Sequence, residues 1–254
     1  MWFVPNSRID KLTLETLVNE VATRTPESLL DVAKTITDYC SPPLKRSVDF
    51  LVNKKVDNYS QSIRDAFTLF GSDKSIEHDY HNIYAQIILS FNRPLRILEI
   101  GLGSQNKNIA SHMSSSFKPG GSLRAFRSLL PNSTIHGADI DKEICIEGFK
   151  IFNIDQTKSE SFSVIKSGGE VNYDLIIDDG LHSPDANLNT LNFALSSIGN
   201  DGVIIIEDIP ERALAIWEIV QILFQNSNYR TLLVKDRESY LFLCTPKASG
   251  KIMI

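Results

Sequence analysis

Cysteine is scarce. Cys40, Cys145 and Cys244 lie far apart and show no Cys-x-x-Cys spacing, which argues against a disulfide framework or a zinc knuckle and points to a reducing, cytoplasmic compartment. Long apolar runs are missing too. No stretch approaches the roughly 18 apolar residues of a membrane span, and residues 1–10 lack a basic segment followed by an apolar run. The net charge is −5, with no long block of lysine or arginine, so the electrostatic footprint of a nucleic-acid binder is absent. Neither nucleic acid nor a membrane is therefore expected as a partner. A third glycine is also missing from the turn Gly101-Leu102-Gly103, which runs on into Ser104-Gln105-Asn106-Lys107. A dinucleotide site wants Gly-x-Gly-x-x-Gly opening directly into a helix that receives a pyrophosphate, so a nicotinamide-dependent oxidoreductase is disfavoured.

What is present suits a globular domain. Hydrophobic residues make up 42% and charged residues 22% of 254 positions, outside the regime of disorder and enough for one large α/β domain plus an appendage. From Ile9 to Tyr39, apolar residues recur at three- and four-residue steps, with Thr25-Pro26-Glu27 resembling a cap and first turn. Ser41-Pro42-Pro43 breaks this pattern, and a further helical region runs through Val56, Ile63 and Phe67 to Gly71. Residues 1–70 thus read as a helical N-terminal appendage, a scaffold or a homo-oligomer contact, and residues 71–254 as the main domain. There, isoleucine-rich runs at Leu95–Ile100, Thr134–Ala138, Lys150–Ile154, Tyr173–Ile177 and Val203–Ile206 alternate with crossover-length helical segments. Tyr229–Val234 and Tyr240–Cys244, joined by Lys235-Asp236-Arg237-Glu238, complete a hairpin. The expected architecture is α/β: a doubly wound, mostly parallel, seven-stranded sheet of Rossmann-like form.

In such a sheet, ligands bind beyond the carboxyl ends of the strands. Here those ends are acidic five times over: Glu99, Asp139 with Asp141, Asp155, Asp178 with Asp179, and Glu207 with Asp208. One carboxylate at a strand end is commonly a cap; five in succession suggest a ligand. S-adenosylmethionine carries no phosphate, and its site needs glycine for close approach with carboxylates for the ribose and the ammonium. Asp139 is placed to accept from ribose hydroxyls, and Asp155 with Gln156 to address the adenine edge. Asp179, Glu207 and Asp208 gather oxygen ligands suited to a hard divalent cation such as magnesium, and His182 stands three residues beyond Asp179 as a general base.

The same residues resemble a known family. Leu98-Glu99-Ile100-Gly101, Gly121-Ser122-Leu123-Arg124, Gly137-Ala138-Asp139-Ile140-Asp141, Asp155-Gln156-Thr157, Asp178-Asp179-Gly180-Leu181-His182 and Ile206-Glu207-Asp208 are similar to the motifs of class I methyltransferases that act on macrolide sugars. Ser72-Asp73-Lys74, His78, Tyr80 and Tyr84 match upstream. The resemblance implies metal-dependent methyl transfer from S-adenosylmethionine to a hydroxyl of a small-molecule acceptor. It implies Asp179, Glu207 and Asp208 as metal ligands and His182 as the base. Glu99, Gly101, Ser122, Asp139, Asp155, Gln156 and Asp178 would contact the cofactor, while Lys74 and Tyr84 hold its methionine end. The chain departs from the family at Ser104–Pro119, an insertion expected to form a loop over the cofactor. Two other readings stay open: a metal-independent N- or O-methyltransferase, and a catalytically silent cofactor-binding partner subunit.

Overall fold

The computed structural model describes residues 11–37, 44–109, 112–113 and 118–249. Cys40, the Ser41-Pro42-Pro43 break and the serine cluster Ser114–Ser116 lie outside the described residues. In chain order the elements are α1 (Lys11–Thr37), β1 (Lys45–Arg46), α2 (Lys54–Phe70), α3 (Tyr80–Leu89), β2 (Arg96–Ile100), α4 (Gly121–Leu129), β3 (Thr134–Asp139), β4 (Lys150–Asn153), α5 (Ser163–Ser167), β5 (Tyr173–Asp178), α6 (Pro184–Leu195), β6 (Ile198–Ile209), α7 (Leu214–Phe224), β7 (Tyr229–Lys235) and β8 (Tyr240–Pro246).

The strands form one mixed sheet in the order β1-β7-β8-β6-β5-β2-β3-β4, with β8 alone running against the others. All seven expected strands are present. The eighth, β1, pairs Lys45 with Val234 and Arg46 with Lys235; two residues are too few to carry an alternation pattern, and only the free edge of β7 reveals them. The second correction concerns α1. Thr25-Pro26-Glu27 does not start a new helix, because Lys11–Thr37 is continuous with Pro26 inside it. Proline removes one helical donor, but packing on α7 holds the helix together around the buried Leu30 and a 2.6 Å pair between Lys34 and Glu218.

α2 begins at Asn53, whose side chain accepts from the amides of Lys55 and Val56 at 3.0 and 3.1 Å, and stops at Gly71 in the left-handed region. Its Val56, Ile63 and Phe67 enter the same core as α3 and α4. The sheet separates two cores. Ile97, Leu175, Ile177, Val203 and Ile205 face α2, α3 and α4, whereas Leu98, Ile100, Ile176, Ile204 and Ile206 face the opposite side with Phe193 and Trp217 of α6 and α7. This period of two decides where each strand-end carboxylate points. β2 lies between β3 and β5, so the chain reverses its direction of travel across the sheet there, and the open crevice falls at the carboxyl ends of these strands.

Candidate active site

Odd-numbered positions on β2, β5 and β6 point toward α2, α3 and α4. Continuing that parity brings Glu99, Asp179 and Glu207 to one place, and the buried Lys74 meets all three. Its Nζ lies 2.5 Å from Asp179 Oδ2 and 3.3 Å from Glu99 Oε1, and it donates to Glu207 Oε2. Burial works against the ammonium, but Asp179, Glu207 and Glu99 outweigh it and hold the lysine pKa well above its usual value. One positive charge does not neutralise three carboxylates. Burial, opposed by Lys74, pushes Glu207 up to about 7. Burial also raises Asp179 well above its ordinary value, against Lys74 and with repulsion from Glu207 and Asp208. Tyr84 donates to the other Glu207 oxygen at 2.6 Å, and Ser122 donates to Glu99.

Asp178 follows the even parity and faces the opposite side. It accepts from Gln156 at 2.7 Å, from Asn187 at 3.1 Å and from the Gly180 amide at 3.2 Å. The Gln156 amide nitrogen also donates to Thr190, and its oxygen accepts from the Leu181 amide. Glu99 and Asp178 therefore stand behind the cavity walls, fully engaged with protein donors. Two close approaches require glycine: a Cβ on Gly101, at φ +85°, would overlap the Asp179 carbonyl, and one on Gly180 would overlap the Gln156 amide.

Asp179, His182 and Asp208 meet at the mouth of this arrangement. Each offers one ligand atom, all within 4.8 Å of one another. His182 Nε2 lies 3.9 Å from Asp179 Oδ1 and 3.9 Å from Asp208 Oδ2, while its Nδ1 is buried without a hydrogen-bond partner. His182 and Asp208 have φ of +55° and +52°, backbone strain of the kind found where a side chain must be aimed. Glu207 and Asp208 sit in a register shift between Ile206 and Ile209. That bulge sends the two acids to different places.

Two adjoining cavities open onto these groups. One, of about 240 Å³, is polar and is lined by Ser122, Asp179, His182 and Asp208. The other, of about 320 Å³, is more apolar and lies among Ile100, Ile140, Ile154, Asp155 and Leu181. They share Gly101, Ile109, Asp139 and Gly180. Asp139 caps the glycine turn, accepting from the amides of Leu102 and Asp141 at 2.8 Å; burial, opposed by those amides, raises its pKa. Asp155 is half-exposed at the rim, with Lys158 2.8 Å away. Among the described residues of the insertion, Ile109, His112, Met113 and Lys118 line the polar cavity.

Several contributors escaped the sequence reading. Asn187 and Thr190 look like ordinary residues of α6. Ser239 and Asp236 look like turn residues, yet Ser239 lies 3.3 Å from Asp208 and Asp236 lies 3.3 Å from His78.

No family model matches the chain. Over 120 residues, 46% of its length, it is 26% identical to the 8-demethyl-8-(2-methoxy-alpha-L-rhamnosyl)-tetracenomycin-C 3'-O-methyltransferase of Streptomyces olivaceus, of which the match spans 28%. Among solved structures it resembles the MycE methyltransferase of the mycinamycin biosynthetic pathway. Against the complex with Mg and SAH, the TM-score is 0.59 at 18% identity, covering 73% of this chain and 54% of that one. Against the complex that also holds mycinamycin VI, the TM-score is 0.59 at 19% identity, covering 76% and 57%. The chain thus spans only part of the length of each relative. It has the α/β fold of the S-adenosylmethionine-dependent methyltransferases and resembles, within that fold, the sugar O-methyltransferases of natural-product pathways.

Proposed function

We propose that this chain transfers the methyl group of S-adenosylmethionine to a hydroxyl of a small acceptor, a sugar or another natural product, with the help of a divalent cation such as magnesium. The observation that carries the reading is the pair of joined cavities. An apolar slot suits adenine, Asp139 at the junction suits the ribose, and the polar half ends on Asp179, His182 and Asp208. The relatives are consistent with it: one is named as a 3'-O-methyltransferase, and another was crystallised with Mg, SAH and mycinamycin VI.

The donor set fits a hard cation. Asp179, His182 and Asp208 present ligand atoms within 4.8 Å of one another, while Glu207 stands behind them, its two oxygens accepting from Lys74 and Tyr84. Lys74 sets one ammonium against the three carboxylates of Glu99, Asp179 and Glu207. A cation held by Asp179 and Asp208 would supply Lewis acidity to an acceptor hydroxyl. His182 Nε2 faces the same space and takes the hydroxyl proton. The acceptor oxygen then forms a bond to the methyl carbon as the carbon–sulfur bond breaks, and S-adenosylhomocysteine leaves with both electrons on sulfur. Gly101, Ser122 and Asp139 hold the donor, and its alignment with the acceptor contributes much of the rate.

Titration calorimetry with S-adenosylhomocysteine tests the first half: binding is expected, and its absence at millimolar ligand overturns the reading. Assays with and without a chelator test the second half. A specific observation favours a rival reading without metal, since the Lys74 ammonium already bridges Asp179 and Glu207. Full activity in chelator on the true acceptor would establish that rival.

A further inference from the structure

Asp208 has two oxygens, and the protein treats them differently. Among the described residues, the contacts of the protein with this carboxylate gather on Oδ1: Tyr80 Oη donates at 2.5 Å and Ser239 Oγ at 3.3 Å, and His78 Nε2 pairs with it at 3.4 Å. Oδ2 faces the cavity and His182. We infer that His78 and Tyr80 are positioning residues that lock Asp208 through Oδ1, so that Oδ2 is the single oxygen offered to the cation. This rests on the metal-assisted reading proposed above.

The lock is built as a rigid unit. The His78 and Tyr80 rings stack at 4.4 Å and 15°, and Tyr80 Oη also contacts Ser239 Oγ at 3.0 Å. His78 Nδ1 is held 3.3 Å from Asp236, a buried carboxylate in the β7–β8 turn that also accepts the Asp79 amide. Arg237 of the same turn pairs with Asp79 at 2.8 Å, tying the hairpin to the segment that carries the two rings. The arrangement answers a need, because Asp208 sits in a bulge at φ +52°, where its backbone alone would not fix the carboxylate. Groups that orient a metal ligand from behind typically set metal affinity by about 10- to 100-fold.

The ring nitrogens allow a clean test. In His78→Gln the amide nitrogen falls near the position of Nε2 and keeps a donor toward Asp208. In His78→Asn it falls near Nδ1 and keeps only the bond to Asp236. Mn²⁺ affinity is measured by electron paramagnetic resonance with S-adenosylhomocysteine present, on the wild type, both His78 variants and Tyr80→Phe. Metal-free S-adenosylhomocysteine affinity and melting temperature serve as controls. The inference expects His78→Asn and Tyr80→Phe to weaken Mn²⁺ by about tenfold or more, with His78→Gln close to wild type and cofactor affinity unchanged. Equal Mn²⁺ affinity in all four proteins overturns the positioning role alone, as does equal weakening in the two His78 variants. No Mn²⁺ binding by the wild type overturns the metal reading and the positioning role together.

Discussion

Asp178 and Asp179 are consecutive residues with opposite fates. Asp178 points into the side of the sheet covered by α6, where neutral donors from Gln156, Asn187 and a backbone amide satisfy it. Asp179 points to the other side, where it meets a buried ammonium, two more carboxylates and an open cavity. Asp178 is fully buried and Asp179 partly exposed, and desolvation raises both pKa values. The difference lies in what opposes that rise: hydrogen bonds from neutral groups at Asp178, and the Lys74 ammonium at Asp179. The alternation of a β-strand alone separates the two settings.

The sharpest way to break this comparison is to remove the charged side. Asp179→Ala is expected to lower turnover by about a hundredfold or more, and His182→Ala by a similar factor, with S-adenosylhomocysteine affinity changed by no more than about threefold. Steady-state assays alongside calorimetry read both quantities. Cofactor affinity falling in step with turnover would merge the two faces into one binding site.

Removing the counter-ion comes next. Lys74→Met strands three carboxylates and is expected to cost about 3 kcal/mol of stability at pH 8. Glu207 has a folded pKa of about 7 against an ordinary 4.5, so between those values the folded state holds more protons than the unfolded one. Its contribution to stability therefore weakens as pH climbs through that window. Without Lys74 the Glu207 pKa rises further, and the deficit of the variant grows from pH 6 to pH 8. Denaturant melts at the two pH values check the sign; a deficit larger at pH 6 would refute the charge account. On the other face, Asp178→Asn is expected to cost about 1–2 kcal/mol through one mismatched donor, with kcat within about threefold of wild type. A loss like that of Asp179→Ala would show that Asp178 also serves the chemistry.

The sequence discloses the sheet well because strands buried on both faces leave isoleucine runs that nothing else explains. It also carries the parity: Glu99, Asp179 and Glu207 keep step with Ile97, Ile177 and Ile205. What it hides is the partner. Lys74 is 105 residues from Asp179 and 133 from Glu207, a separation no spacing rule spans. Gln156 reads as a residue for the adenine edge; it lines the apolar cavity, and its amide is also engaged by Asp178, Thr190 and the Leu181 amide, partners the sequence does not announce. The Asp236–Ser239 turn is similarly opaque, since polar turn residues need no partner to be explained. α1 runs through Pro26 because its packing on α7 outweighs a lost backbone bond, and packing between distant segments is what local pattern cannot weigh.

The smallest effect belongs to a residue on neither face. Asp155 stands at the rim, where Oδ1 accepts from the amide and hydroxyl of Thr157 at 3.1 and 2.6 Å and Oδ2 meets Lys158. Lys158 and Thr157 together hold its pKa below the usual carboxylate value. Its carboxylate therefore shapes its own turn first, as short polar side chains do, and any contact with adenine comes second. Asp155→Asn keeps an oxygen for the Thr157 amide while dropping the charge, and is expected to bind S-adenosylhomocysteine as the wild type does. Asp155→Ala releases the turn that forms one side of the apolar slot, and affinity should fall by about threefold. If Asp155→Asn weakens binding as much as Asp155→Ala does, the charge itself reads the cofactor, and the rim joins Asp179 on the charged side of the comparison.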